Sequence, residues 1–119
     1  MIFEMHDYAA MKDALEQLCR FLERENVPAE RVFDSKLAAS ELVGNVFRHS
    51  DGVARLHGEV KNGFVELVVF STAAYIPPEN SRFADVYAEH GRGLFLVDTV
   101  CEERTMTEGG GIRVRIKIQ

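Results

Sequence analysis

The chain has 119 residues, of which 46% are hydrophobic and 28% are charged, and its formal net charge at pH 7 is −5. These values suit a single folded domain spanning residues 1–119 and exclude a largely disordered chain. The acidic balance argues against nucleic acid as a partner and against adsorption to an anionic membrane, since both favour basic surfaces. Residues 1–13 lack the basic start and apolar run of a signal peptide, and no apolar stretch reaches the roughly 20 residues that span a bilayer. We therefore expect a cytoplasmic protein.

The first half of the chain predicts a short edge strand followed by two helices. Residues 1–5 suit the strand, and Asp7 suits the N-cap of a first helix that ends before Pro28. Pro28 fits the first turn of a second helix, which runs to about His49 and is broken by Asp51-Gly52. Apolar residues recur at i, i+3 and i+4 along both helices and define one buried stripe on each. The stripes are Met11, Ala14, Leu15, Leu18 and Leu22, and Val32, Ala38, Ala39, Leu42, Val43, Val46 and Phe47.

The second half predicts strands around a long connection. Asn62-Gly63 is a two-residue hairpin signal between a weakly alternating strand at residues 53–60 and an apolar, central strand at residues 64–70. Residues 71–90 show no clean period, and so long a connection in a small domain is usually a functional lid or a mobile loop. A short helix at 83–87, a third helix at 94–100 and strands at 102–107 and 112–118 complete the prediction. This order predicts an α+β fold, a two-layer α/β sandwich with a mixed, mostly antiparallel sheet and helices on one face.

Several reactive side chains are explained most simply by structural roles. Cys19 and Cys101 form no C-x-x-C pair and lie in apolar segments, which is typical of core residues. Three histidines, His6, His57 and His90, show no metal-ligand spacing. The last strand alternates strictly, and its basic residues are most simply its solvent side: Arg113, Arg115 and Lys117.

The second helix carries a polar group opposite its apolar stripe. At about 100° per residue, Glu41, Asn45 and Arg48 fall on this side together with Leu37 and Gly44. One interpretation is an ordinary solvated pair of polar side chains at i and i+4. The other is a binding site, because a carboxylate and a carboxamide present oxygen ligands for a hard cation such as Mg²⁺. In that case the carboxylate could orient or deprotonate an attacking hydroxyl, and the guanidinium could neutralise phosphate charge.

A glycine turn precedes the predicted third helix. Glycines at Gly91 and Gly93, around Arg92, would let backbone N–H groups converge on an anion at a helix N-terminus. Alone, this pattern is more typical of a bare turn. Combined with the polar side of the second helix, it predicts a phosphate-binding cleft between the two.

These two segments resemble the conserved boxes of a known family. Residues 41–49 (ELVGNVFRH) resemble the first box of the histidine-kinase-like (GHKL) ATPases, and residues 91–97 (GRGLFLV) resemble their later glycine box. The resemblance covers nearly the whole chain, which is most similar to bacterial anti-sigma factor serine kinases. It implies the two-layer sandwich known as the Bergerat fold, with ATP and Mg²⁺ as cofactors. It also implies a protein serine/threonine kinase that regulates transcription, with a sigma factor and a small antagonist protein as partners, and a possible homodimer.

The resemblance assigns roles to individual residues. Glu41 would be the catalytic base or water-polarising residue and Asn45 the Mg²⁺ ligand, with Arg48 and His49 beside the phosphates. The turn containing Gly91, Arg92 and Gly93 would shape the triphosphate loop, and residues 81–90 would form the lid.

One box departs from the family pattern. Ser71 stands where the family has the Asp that receives the adenine amino group, and Ala73 and Tyr75 stand at two glycine positions. Losing a charge-assisted hydrogen bond costs roughly 1.5–3 kcal/mol, or about one to two decades of affinity. Tyr75 would either stack on the base or fill the site. The alternative function is therefore a degenerate pseudo-kinase that acts only by binding protein partners.

Overall fold

The computed structural model describes residues 1–49, 53–71, 97–107 and 111–118. Its elements are β1 (Ile2–Met5), α1 (Tyr8–Arg24), α2 (Ala29–His49), β2 (Ala54–Lys61), β3 (Phe64–Ser71), β4 (Glu103–Met106) and β5 (Ile112–Lys117). Residues 97–100 are also helical, which confirms the described part of the predicted third helix. The proposed lid at residues 81–90 and the short helix predicted within it lie outside the described residues.

The described helix boundaries lie close to those that the sequence signals predict, although α2 begins just after Pro28. The Asp7 carboxylate accepts a hydrogen bond of 2.7 Å from the backbone N–H of Ala10, which caps the first turn of α1. After α1, Asn26 adopts a left-handed φ of 63° and reverses the chain ahead of α2. The two helices run antiparallel. The Tyr8 ring at the start of α1 accordingly packs edge-on against Phe47 near the end of α2, with 5.0 Å between the ring centroids.

The five strands form one sheet in the order β1-β2-β3-β5-β4. Every described pairing is antiparallel, in agreement with the prediction of a mostly antiparallel sheet. Asn62 and Gly63 both have positive φ, 55° and 79°, as a two-residue hairpin with a type I′ turn requires. The predicted edge strand β1 and central strand β3 occupy those positions in the sheet.

Both helices cover the same face of the sheet, and the core lies between the two layers. Gly58 on β2 makes room for α1, since a Cβ at that position would lie 3.3 Å from Cδ1 of Leu18. No helix within the described ranges is long and apolar enough to cross a membrane. The largest fully buried apolar side chains are Met5, Leu18, Leu22, Val43, Leu42, Leu56, Val65, Leu67, Val97, Val114 and Ile116.

The two cysteines pack against this core, as predicted. Burial raises the pKa of the Cys101 thiol to about 12, and the charges of Asp98 and Asp34 add to that effect. Burial also raises the pKa of the Cys19 thiol. Both side chains therefore remain protonated thiols at neutral pH.

The basic side of β5 is more than a solvated surface. Arg115 lies over the Phe64 ring, 4.1 Å from its centroid, and forms ion pairs with Glu66 and Glu103 on the neighbouring strands. Its side chain and that of Arg113 are half-buried. The strand alternation identified the correct face, but the packing across three strands gives Arg115 a structural role that the alternation did not show.

Replacing Asp7 with Ala tests the cap of α1. We expect Asp7→Ala to lower the free energy of unfolding by about 1 kcal/mol, because the Ala10 N–H loses its acceptor at the helix start. Urea denaturation followed by circular dichroism measures this change. Asp13→Ala, at an exposed position within α1, is the matched control and should leave the free energy of unfolding nearly unchanged. Equal losses in the two variants would contradict the capping role.

Candidate functional site

Glu41, Asn45 and Arg48 project from the side of α2 that does not face the sheet. The side chains between them, Leu42 and Val43, are buried in the core, so the helix can present its polar group only on the remaining side. Glu41 and Asn45 are half-buried, and Arg48 is exposed. The predicted grouping of these three side chains on one side of the helix is therefore present.

Arg48 folds back along the helix instead of extending into solvent. Its Nη2 donates a hydrogen bond of 2.5 Å to Oδ1 of Asn45. Its Nη1 lies over Gly44, where an added Cβ would approach it to 3.1 Å. Gly44, which shares this side of α2, thus leaves room for the guanidinium of Arg48.

The Glu41 carboxylate lies one turn before Asn45 on the outer side of α2. Among the residues that the structure describes it forms no hydrogen bond or ion pair, although Arg48 lies only two turns further along the same side of α2. A half-buried carboxylate without such a partner can accept a proton, orient a hydroxyl or ligate a cation. Within the described residues, the outer side of α2 thus carries a carboxylate that has no polar partner and an amide oxygen that accepts a hydrogen bond from a guanidinium.

Ser71 lies at the same end of the molecule as these side chains. It is the last residue of β3 and pairs with Ala54, the first residue of β2, which follows the end of α2 by only five residues. Ser71 comes two residues after the buried Val69 in β3, and side chains two residues apart in a strand share a face. Ser71 is therefore on the helix-facing side of the sheet. Ser71 therefore lies at the end of the sheet where the chain enters β2 after α2.

Gly111, which lies between β4 and β5, adds a further feature at this end of the sheet. Its backbone N–H donates to Oγ1 of Thr107 at 2.9 Å, and its carbonyl accepts from the Thr107 N–H at 2.8 Å. A Cβ there would lie 3.0 Å from Cβ of Phe70 and 3.1 Å from the Val69 carbonyl.

The described donor set suits a hydrated hard cation bound together with phosphate. The last turn of a helix carries partial negative charge, which favours a cation near Asn45 and the basic side chain of Arg48. Mg²⁺ keeps several water ligands and commonly takes only one or two from protein, so an amide oxygen with a nearby carboxylate is a sufficient protein contribution. Arg48 could then leave Asn45 and pair with a phosphate oxygen.

Other predicted site residues fall outside the described part of the chain. Tyr75, Gly91, Arg92 and Gly93 lie there, as does the side chain of His49, whose backbone ends α2. The predicted approach of the glycine turn to Glu41 and Asn45 stays a prediction.

Two glycines at this end should respond to alanine in opposite directions. We expect Gly44→Ala to raise the free energy of unfolding by up to about 1 kcal/mol, because helix propensity improves and the flexible tip of Arg48 can move aside. We expect Gly111→Ala to lower it by about 1–3 kcal/mol, because the new methyl group meets the backbone of β3. Urea denaturation measures both. A destabilised Gly44→Ala variant would show that the space over Gly44 is rigidly filled.

Comparisons with known proteins identify the family of this chain. A search of curated proteins finds no match. The family model described as "Histidine kinase-like ATPase domain" matches residues 6–118, which include α1, α2 and strands β2 to β5. The match covers nearly the whole chain and contains every residue assigned to the site. The chain belongs to the histidine kinase-like ATPase domain family.

Proposed function

We propose that this chain is a cytoplasmic regulator that binds ATP and Mg²⁺ and acts as an anti-sigma factor with serine/threonine kinase activity. It would hold a sigma factor and phosphorylate a small antagonist protein. Membership of an ATPase domain family supports ATP binding. The observation that carries the proposal is the group of Glu41, Asn45 and Arg48 on the outer side of α2.

Each of the three side chains has a distinct task in this proposal. Asn45 contributes its Oδ1 to the cation, and Arg48 turns from Asn45 towards phosphate oxygens. Glu41 would accept the proton of the substrate hydroxyl as the hydroxyl oxygen attacks the γ-phosphorus of ATP, and the bond from that phosphorus to the bridging oxygen would break so that ADP leaves. When bound, Mg²⁺ offsets negative charge on the phosphates.

Removing the Asn45 carboxamide should weaken nucleotide binding. We expect Asn45→Ala to raise the Kd for ATP with Mg²⁺ by about one to two decades, because a ligand bond to a charged group is lost. Isothermal titration calorimetry measures the Kd. Gln17→Ala removes an exposed carboxamide from α1 and is the matched control, with no expected change. No heat with the native chain at millimolar ATP, or an equal loss in the control, would contradict this site.

A second function is favoured by Ser71. A serine at the helix-facing end of β3 supplies no carboxylate for an adenine amino group. In this alternative the chain has lost nucleotide binding and regulates only by holding protein partners. Micromolar ATP binding by the native chain would exclude it.

Placing an Asp at position 71, as in the family pattern, tests whether this residue determines nucleotide binding. We expect Ser71→Asp to strengthen ATP binding by about one to two decades, since a charge-assisted hydrogen bond to the base becomes available. Gln17→Glu adds the same charge on the exposed side of α1 and controls for a general electrostatic effect. If calorimetry shows unchanged affinity in Ser71→Asp, Ser71 does not face the base.

A further inference from the structure

The outer edge of β1 carries unpaired backbone groups. Among the described strands, β1 pairs with β2 alone and lies at one edge of the sheet. Met1 exchanges two backbone hydrogen bonds of 2.9 and 3.0 Å with Gly58 on β2. Hydrogen-bonded and non-hydrogen-bonded pairs alternate along an antiparallel ladder, so Ile2 and Glu4 direct their N–H and C=O groups away from β2. Within the described ranges, these groups have no partner on that side.

This edge lacks the side chains that usually protect an edge strand. β1 contains no lysine or proline, which natural proteins often place there to prevent a further strand from pairing. Its charged side chain, Glu4, lies on the open face of the sheet and pairs with Arg55 at 2.7 Å. The edge can therefore accept another extended segment, although the four residues of β1 limit the length of the contact.

A groove of about 420 Å³ lies between β1 and α1. Phe3 on β1 and Phe21 on α1 form its aromatic walls, and both are half-buried. Phe3 comes two residues before the buried Met5, so it faces the helices. The described lining includes no residue of β2, which places the groove on the side of β1 where the edge is free. Alternate side chains of an added strand would therefore enter this groove.

Two exposed arginines flank Phe21 along the groove. Arg20 and Arg24 line it one turn apart on α1, and in the described part of the chain neither forms an ion pair or a hydrogen bond. Arg31 and Arg55, by contrast, each pair with a carboxylate. The described lining of the groove contains no acidic residue. In a chain of net charge −5, these arginines form a local basic patch that favours an acidic ligand.

We infer that an extended, acidic segment of a partner protein adds to the sheet beside β1. Its backbone pairs with the free groups of Ile2 and Glu4, as in strand addition to a sheet edge. Its helix-facing side chains, two residues apart, are acidic, aromatic and acidic in turn. The side chains between them are neutral, because they lie on the open face beside the Glu4 carboxylate. The contact involves neither the polar side of α2 nor a nucleotide, so it does not rest on the proposed function.

The order of side chains on α1 sets this pattern. The aromatic ring of the segment packs between Phe3 and Phe21, and the carboxylates on either side of it reach Arg20 and Arg24. Acidic residues four apart in a strand are separated by about 13 Å, whereas the two arginines are about 6 Å apart along the helix axis. The long, exposed arginine side chains can spread to cover this difference.

A synthetic peptide tests the contact. We expect an end-capped peptide with the core Glu-Thr-Phe-Thr-Glu to bind the native chain with a micromolar to submillimolar Kd, measured by calorimetry. Arg20→Gln combined with Arg24→Gln should raise this Kd about tenfold, since two ion pairs are lost. Lys12→Gln combined with Lys36→Gln removes the same charge at exposed positions outside the groove and should leave the Kd unchanged. No binding at millimolar peptide, or equal weakening by both double variants, would overturn the inference.

Reversing the charges on both sides tests the pairing itself. A peptide with the core Lys-Thr-Phe-Thr-Lys should not bind the native chain, because like charges then meet at the groove. The same peptide should bind the variant that combines Arg20→Glu with Arg24→Glu about as tightly as the acidic peptide binds the native chain. Both positions are exposed, so circular dichroism should show unchanged folding. Failure of the reversed pair to bind would rule out the proposed pairing of carboxylates with these arginines.

Amide hydrogen exchange tests whether the peptide adds as a strand. At saturating acidic peptide, exchange of the Glu4 amide should slow about tenfold or more, because that N–H gains an acceptor at the free edge. The amides of β4, at the opposite edge of the sheet, are the control and should not change. Unchanged exchange at Glu4 would overturn strand addition. If sedimentation shows that the peptide dissociates a dimer of the native chain, a second copy occupies the edge and the inference also fails.

Discussion

Burial of one stripe of α2 against the sheet determines where the candidate site lies. Leu42, Val43 and Val46 pack into the core, and a helix advances about 100° per residue, so Glu41 and Asn45 must project on another side. The contact of α1 with the far end of α2 supports the same orientation. The geometry of the polar group is thus a consequence of apolar packing, and rotation of α2 would expose core residues at the same time as it moved the site.

Arg48 links the structural and functional interpretations of this helix. In the structure its guanidinium covers the bare turn at Gly44 and holds the Asn45 amide, which keeps the amide oxygen directed along the outer side of α2. A phosphate would offer that guanidinium a stronger partner than a neutral amide, and a cation would replace it on the amide oxygen. On binding, Arg48 would exchange the Asn45 amide for a phosphate, and Asn45 would exchange Arg48 for the cation. The same arginine can therefore stabilise the free site and take part in binding. Ser71, at the adjoining end of β3, is where recognition of the base would differ from the family pattern.

Sequence patterns predicted the features that depend on neighbouring residues. The 3.6-residue period and the Asp7 cap predicted the helices, and Asn62-Gly63 predicted the hairpin, because each signal acts within a few residues. The pairing of β3 with β5 joins distant segments, and alternation alone does not specify which strands meet. The return of Arg48 over Gly44 and the tight closure at Gly111 depend on rotamers and on tertiary packing, which explains why the sequence predicted the residues but not their contacts. The approach of the glycine turn at residues 91–93 to α2 remains a prediction.

Paramagnetic NMR tests the central claim most directly, because a chain of 119 residues gives resolved amide spectra. Mn²⁺ with ATP, in place of Mg²⁺, broadens signals close to the metal. If the outer side of α2 is the nucleotide site, residues 41–49 should broaden first and Ser71 should shift, while His57 and Arg113 on the open face of the sheet stay sharp. Broadening centred on the open face, or none along α2 at saturating nucleotide, would contradict the account.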